Sequence, residues 1–220
     1  MIFRVNLDNQ YGLFWDCDGT IMDTEKLYAY AWKEHLKNLG FEIQLSEVDQ
    51  FIGVDDRIVH NYFSSFVKLD DFTNTMHSLG EIIKNLLSDD ILFSDAKNLL
   101  ISSNNIGIQS ACVSASPQNL LEFKLEKANI KHLFNFIIGG DQVKKNKPYP
   151  DIYNKAITTL GTTKNIVIED SPTGIKSGKA SNTFVIAIDR GIFSKNELSE
   201  ADVIVEKLSL ENILLIYKSL

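Results

Sequence analysis

Two aspartates one residue apart, Asp16 and Asp18, follow directly on the apolar run Leu13-Phe14-Trp15. The run reads as a buried strand with Asp16 at its last position and Asp18 just beyond, and Gly19 permits the tight turn that follows. Side chains alternate along a strand, so both carboxylates project to one side and Cys17 to the other. Carboxylates held this close repel each other unless a cation or a shared proton intervenes, and a hard divalent cation with oxygen ligands is the usual solution. The plain alternative is a turn and a helix cap, a common use of Asp after a strand.

Three more stretches carry groups of matching chemistry. The apolar run 106–113 ends at Ser114, Lys147 lies in the loop after Phe136-Ile137-Ile138, and Ile166-Val167-Ile168 ends at Glu169 and Asp170. In an open parallel sheet, ligands bind at the carboxyl ends of the strands near the topological switch point, so these groups would converge on one site. Acids, a hydroxyl and a cation suit phosphoryl transfer, which needs positioning, a metal and a cation against the developing charge. Ser114 and Ser116 could both be helix caps; the cap reading is favoured for Ser116, before Pro117, and phosphate binding for Ser114. Lys144 and Lys145 read as a solvated loop, whereas Lys147, in Lys-Pro-Tyr-Pro, is assigned to the chemistry.

The elements that must position these groups alternate. Thr24 caps a helix reaching Leu39, with Gly40 as its stop. Up to about Leu87 the patterns are helical: 45–51, with Ser46 and Asp49 as a cap, then 58–66 and 79–87. A loop at Phe51-Ile52-Gly53-Val54 interrupts them, and Tyr28, Trp32, Tyr62 and Phe63 are expected in the core of this block. Helix and strand then alternate: helix 95–102, strand 106–113, a helix running through Leu120, Phe123 and Leu125, strand 136–138, helix 151–160, strand 166–168, helix 172–180, strand 184–188, an edge strand at 202–205 and a last helix at 210–217. This predicts an α/β fold, a Rossmann-like doubly wound parallel sheet with helices on both faces. A small helical cap domain, residues 24–87, is inserted into a core of residues 1–23 and 88–220, with hinges near Asp23-Thr24 and Ser88-Asp90.

Composition bounds the function. With 220 residues, 44% of them hydrophobic, the chain can bury a substantial core. A net charge of −7 argues against nonspecific nucleic-acid binding, which rests on neutralising phosphates. The stretch Met1–Asn6 lacks the apolar core of a signal peptide, and no run approaches membrane-spanning length. Cys17 and Cys112 sit in separate apolar runs and read as reduced core residues, which with the absent leader predicts a cytoplasmic protein. The histidines His35, His60, His77 and His132 show no paired metal-ligand spacing and are expected to be surface or partly buried residues. A monomer or weak homo-oligomer is expected.

Taken together, the motifs resemble those of the haloacid dehalogenase superfamily. Asp16-Cys17-Asp18-Gly19-Thr20 is similar to its first motif and Val113-Ser114-Ala115-Ser116 to its second. Lys147-Pro148-Tyr149-Pro150-Asp151 is similar to the third, and Glu169-Asp170-Ser171-Pro172-Thr173-Gly174 to the fourth. A cap between the first two resembles the subclass that includes β-phosphoglucomutase and phosphoglycolate phosphatase. The resemblance implies that Asp16 is the nucleophile, forming an aspartyl-phosphate, and Asp18 the general acid and base. It implies magnesium on Asp16, the backbone carbonyl of Asp18 and Asp170, with Glu169 in support. Ser114 and backbone N–H groups around Cys17 to Thr20, Gly19 included, would bind phosphate, and Lys147 would neutralise nucleophile and phosphate together.

The expected activity is therefore a magnesium-dependent phosphatase acting on a small phosphorylated metabolite. A phosphomutase is the alternative, and a catalytically silent binding protein a third reading. A mutase holds a second phosphate on cap cations; Arg57 stands near where one would lie, but Asp55 and Asp56 flank it. Ser94-Asp95 replaces the Pro-Gly that many relatives carry there, a change expected to alter a loop and not the chemistry.

Overall fold

The structure, a computed structural model, describes residues 10–220 except 53, 55 and 89, and the backbone but not the side chain of Glu25. The leader expectation for Met1–Asn6, Gly53 of the cap loop, Asp55 beside Arg57 and Asp89 of the second hinge lie outside the described residues.

The strands are β1 (Tyr11–Trp15), β2 (Gln109–Val113), β3 (Phe136–Ile138), β4 (Lys164–Glu169), β5 (Phe184–Ile188) and β6 (Val203–Val205). They form a parallel sheet in the order β3-β2-β1-β4-β5-β6, the order of a doubly wound fold. The chain leaves β1 towards β2 on one side and returns to β4 on the other, so the switch point lies at the carboxyl end of β1. Register fixes what meets there. Trp15 pairs with Cys112 on one side and Ile168 on the other, and the Asp16 N–H donates to the Ile168 carbonyl at 3.0 Å. Asp16 thus comes level with the ends of both neighbouring strands.

Both faces of the sheet are covered, so the central strands carry apolar runs; Leu13, Phe14 and Trp15 have no solvent exposure. Full burial of each such side chain contributes about 1.5–3 kcal/mol, which anchors the strand from which Asp16 projects. Helices α5 (Ser94–Asn105), α6 (Gln118–Lys127), α7 (Asp151–Leu160), α8 (Pro172–Ala180) and α9 (Leu210–Ser219) complete this unit, and Ile152, Tyr153 and Ala156 of α7 pack into the same core as Phe14 and Val167. Among the described residues, no helix is long and apolar enough to cross a membrane. Cys17 and Cys112 are buried and unbridged.

The fold divides into two compact units: the chain up to Asp23 joined with Leu92–Leu220, and Thr24–Ile91. The second unit holds α1 (Glu25–Asn38), α2 (Leu45–Asp49), α3 (Asp56–Ser64) and α4 (Phe72–Leu86). Helix α4 starts seven residues before the expected 79, because Asp71 caps it through the N–H of Asn74 at 3.0 Å. Helix α2 is capped by Gln44 and Glu47, not by Ser46 and Asp49. Trp32 and Phe63 are buried, but Tyr62 is 44% exposed: it is Phe63's neighbour in sequence, about 100° around α3 from the buried stripe. His35, expected at the surface or partly buried, is 7% exposed, and burial lowers its pKa.

Candidate active site

At the carboxyl end of β1, Asp16 is 7% exposed and meets Lys147 from the loop before α7. The Lys147 ammonium lies 2.5 Å from Asp16 Oδ1 and 2.6 Å from Glu169 Oε1, and donates to the Val113 carbonyl at 2.9 Å. One lysine is therefore shared by two carboxylates and the end of β2. Asn146 ties its loop to the segment after β2, donating to the Ala115 carbonyl at 3.0 Å.

Glu169, at the end of β4, is wholly buried and held on both oxygens. Tyr153 Oη donates to Oε1 at 2.7 Å and Ser171 Oγ to Oε2 at 3.1 Å. Gly174 gives it room, since a Cβ there would stand 1.9 Å from the carboxylate. Asp170 accepts from Thr20 Oγ1 at 3.0 Å. Gly19, with φ +81°, takes the left-handed turn and lets Asp170 approach; a Cβ on it would lie 2.0 Å from Asp170 Oδ2. The N–H of Gly19 is donated to the Met22 carbonyl at 2.8 Å, and the hydroxyl of Thr20 to Asp170. The contribution of Gly19 to this turn is its missing side chain.

Asp16, Glu169 and Asp170 present oxygens that all lie within 4.8 Å of one another. This buried, all-oxygen donor set fits a hard divalent cation. Among the described residues, Lys147 pairs with Asp16 and Glu169, and Lys124 with Asp18. Burial pushes the Asp16 carboxyl up to about 7; Lys147 opposes the rise, while Glu169 and Asp18 add to it. Burial pulls the Lys147 ammonium down, but Asp16 and Glu169 hold it well above the ordinary lysine range. Burial, reinforced by Glu169, raises the Tyr153 hydroxyl well above its usual value and keeps it a donor.

The second aspartate faces different partners. Lys124, from α6, places its ammonium 2.6 Å from each oxygen of Asp18 and 3.1 Å from Ser116 Oγ. Ser116 Oγ donates to Asp18 Oδ2 at 2.9 Å, and Ser114 Oγ reaches the same oxygen at 3.3 Å. Ser116 is not the cap of α6; Pro117 holds that position and the Ser116 hydroxyl turns to Asp18. Ser114 is buried and adjoins Asp18, with its N–H on the Ile138 carbonyl. Arg57 is in the other unit, exposed, with its guanidinium 4.2 Å from the centre of the Phe72 ring.

Sequence reasoning missed Lys124, Tyr153 and Arg190. Lys124 carried a signal: it shares the face of α6 that buries Leu120, Leu121 and Leu125, where a lysine must have a partner. Tyr153 looked like any core aromatic. Arg190 forms a bidentate pair with Asp95, at 3.0 and 3.2 Å, and donates to the Thr20 carbonyl at 3.1 Å. Asp95 also accepts from the Leu208 N–H at 3.0 Å. The residue that stands in place of Pro-Gly thus ties the start of α5 to the turn after β1.

Comparison with known proteins agrees with this geometry. The sequence profile described as haloacid dehalogenase-like hydrolase matches residues 13–188. Fructose-1-phosphate phosphatase YqaB of Escherichia coli is 25% identical over 177 residues, 77% of this chain and 92% of the relative. The phosphorylated carbohydrates phosphatase of Thermotoga maritima is 26% identical over 176 residues, 77% of this chain and 80% of the relative. Among solved structures, a HAD hydrolase, family IA, variant 3, from Entamoeba histolytica superposes with a TM-score of 0.81 at 22% identity, covering 94% of this chain and 99% of its own. The β-phosphoglucomutase of Clostridium difficile gives 0.77 at 22% identity, covering 96% and 97%.

Proposed function

This chain belongs to the haloacid dehalogenase-like hydrolase family, and on that premise we propose that it is a phosphatase of small phosphorylated carbohydrates that works through an aspartyl-phosphate. The observation that carries this reading is the Asp16 carboxylate, fixed at the end of β1 by Lys147 and flanked by Glu169 and Asp170. The relatives named as phosphatases of phosphorylated sugars support the substrate class.

Asp16 attacks phosphorus, so that an Asp16 oxygen–phosphorus bond forms and the ester bond breaks; Asp18, which enters this step protonated, gives its proton to the leaving oxygen. Water then attacks the aspartyl-phosphate, phosphate departs, and Asp18 takes the proton that water loses. Lys147 holds Asp16 in place and offsets charge building on the phosphoryl oxygens. Ser114, beside Asp18 at the end of β2, is the hydroxyl for a phosphoryl oxygen. Magnesium would be held by Asp16, Glu169 and Asp170 together with the Asp18 backbone carbonyl, and when bound it supplies charge neutralisation on the phosphoryl group. The site holds oxygen ligands without imidazole or thiolate, which favours magnesium over zinc.

The test is release of inorganic phosphate from a panel of sugar phosphates and short phosphorylated acids, with magnesium and with a chelator. Hydrolysis dependent on magnesium supports the reading; no release from any ester, or full activity in chelator, refutes it. The β-phosphoglucomutase likeness, at 22% identity, speaks for the fold alone. A mutase must also hold a second phosphate, and Arg57 is engaged on the Phe72 ring. Isomerisation of β-glucose 1-phosphate, primed with the 1,6-bisphosphate, running faster than phosphate release would reverse the choice.

A further inference from the structure

We propose that Lys124 is a positioning residue for Asp18: with Ser116 it holds the Asp18 carboxyl on the β2 side of the nucleophile, where the oxygen leaving phosphorus meets it. The inference rests on the phosphatase reading above and adds to it a residue outside the four motifs.

The Lys124 side chain has no solvent exposure, which an ammonium tolerates only with a partner. It leaves α6 towards the helix N-terminus, the direction that helical side chains take, and so arrives over Ser116. There it meets both Asp18 oxygens at 2.6 Å, while Ser116 and Ser114 approach Oδ2 from the same segment. Contact at both oxygens fixes the plane of the carboxyl as well as its direction. Against an apolar replacement a buried ion pair contributes little net stability, so stability alone gives no reason to bury a lysine against this carboxylate. The consequence is a division of labour: Glu169 and Asp170 gather on the β4 side of Asp16, and Asp18 is held on the other.

Position should matter most where proton delivery matters most. An alkyl phosphate expels an alkoxide that needs a proton as the bond breaks, whereas p-nitrophenyl phosphate expels a stabilised phenolate that needs little. The value of kcat/KM reports events only up to departure of that group, which isolates the step. The experiment compares p-nitrophenyl phosphate with the best hydrolysed of fructose 1-phosphate, glucose 6-phosphate and glycerol 1-phosphate, at saturating magnesium. Lys124→Met is expected to lower kcat/KM about 30-fold for the alkyl ester, within the range of general acid catalysis, and no more than about threefold for the aryl ester. Ser116→Ala should show the same asymmetry at about threefold to fivefold, and Lys124→Arg should recover most of the alkyl activity. Circular dichroism establishes folding; if Lys124→Met fails to fold, Ser116→Ala decides on the same comparison. Equal losses on both esters, or none on either, would overturn the proposal while leaving the phosphatase reading intact. A wild-type protein that hydrolyses no alkyl ester has no such proton delivery to position, which also overturns it; one that hydrolyses neither class removes the phosphatase reading with it.

Discussion

The β4 side and the β2 side of the nucleophile treat carboxylates in opposite ways. On the β4 side one ammonium, Lys147, is shared between Asp16 and Glu169, with Asp170 close by. Burial pushes Asp16 up to about 7 there, against Lys147 and with Glu169 and Asp18 adding to the rise. On the β2 side Asp18 has an ammonium of its own and two serine hydroxyls. Two side chains one residue apart, on the same side of one strand end, therefore stand in an unbalanced and a balanced environment. The unbalanced one attracts a cation and presents a nucleophile; the balanced one can hold a group that moves protons.

The largest expected effect tests the assignment itself. Asp16→Asn should lower turnover by roughly 10⁴-fold or more, as loss of a covalent nucleophile does, with the fold kept by circular dichroism. Asp18→Asn should leave a larger residue of activity towards p-nitrophenyl phosphate than Asp16→Asn does. If the two variants exchange these behaviours, the two sides have been assigned the wrong way round.

The lysines give the next contrast. Lys147 and both its carboxylates have side chains less than 10% exposed, so Lys147→Met strands charge and should cost about 3–5 kcal/mol in chelator. The Asp18 side chain is 17% exposed and can take water, so Lys124→Met should cost less, about 1–3 kcal/mol. Denaturant titration of both variants measures the difference, and equal costs would erase the distinction.

pH provides a smaller, signed effect. The Asp16 carboxyl has a higher pKa folded, about 7, than its ordinary value of 3.8. Between those values the folded state binds more protons than the unfolded, so in chelator this group makes stability fall as pH rises from about 4 to 7. Asp95 works in the opposite sense and in a lower window: Arg190 and backbone N–H groups outweigh its burial and lower its pKa, so its contribution is lost only as pH falls below the ordinary carboxylate range. Thermal melts in chelator should show the decline between pH 4 and 7 in the wild type and a flatter profile in Asp16→Asn. A decline of the same size in both would place its source elsewhere.

The smallest effect sharpens the β4 side. Tyr153→Phe removes one donor from Glu169 and leaves the ring in the core; a stability loss of about 1 kcal/mol and a several-fold weaker magnesium affinity by calorimetry are expected. Unchanged affinity would mean that Lys147 and Ser171 suffice to hold Glu169.

What the sequence by itself determined about this protein is whatever lies in contiguous stretches. A strand followed by Asp-x-Asp-Gly-Thr places two carboxylates and a turn without reference to the rest of the chain, because strand periodicity and the left-handed glycine are local. The same holds for Lys147 in its proline frame and for Glu169-Asp170 at a strand end. The alternation of strands and helices was sufficient for the doubly wound sheet, and that topology brings strand ends to one edge whatever their distance in sequence. Only the tertiary structure decided which partner each polar group takes. Ser116 precedes a helix as caps do, yet spends its hydroxyl on Asp18, 98 residues away. Asp95 reaches Arg190 across 95 residues and Lys124 reaches Asp18 across 106. In each case local geometry permits several bonds of similar strength. Burial then makes an unpaired polar group costly, and the three-dimensional neighbour that removes this cost is the partner chosen.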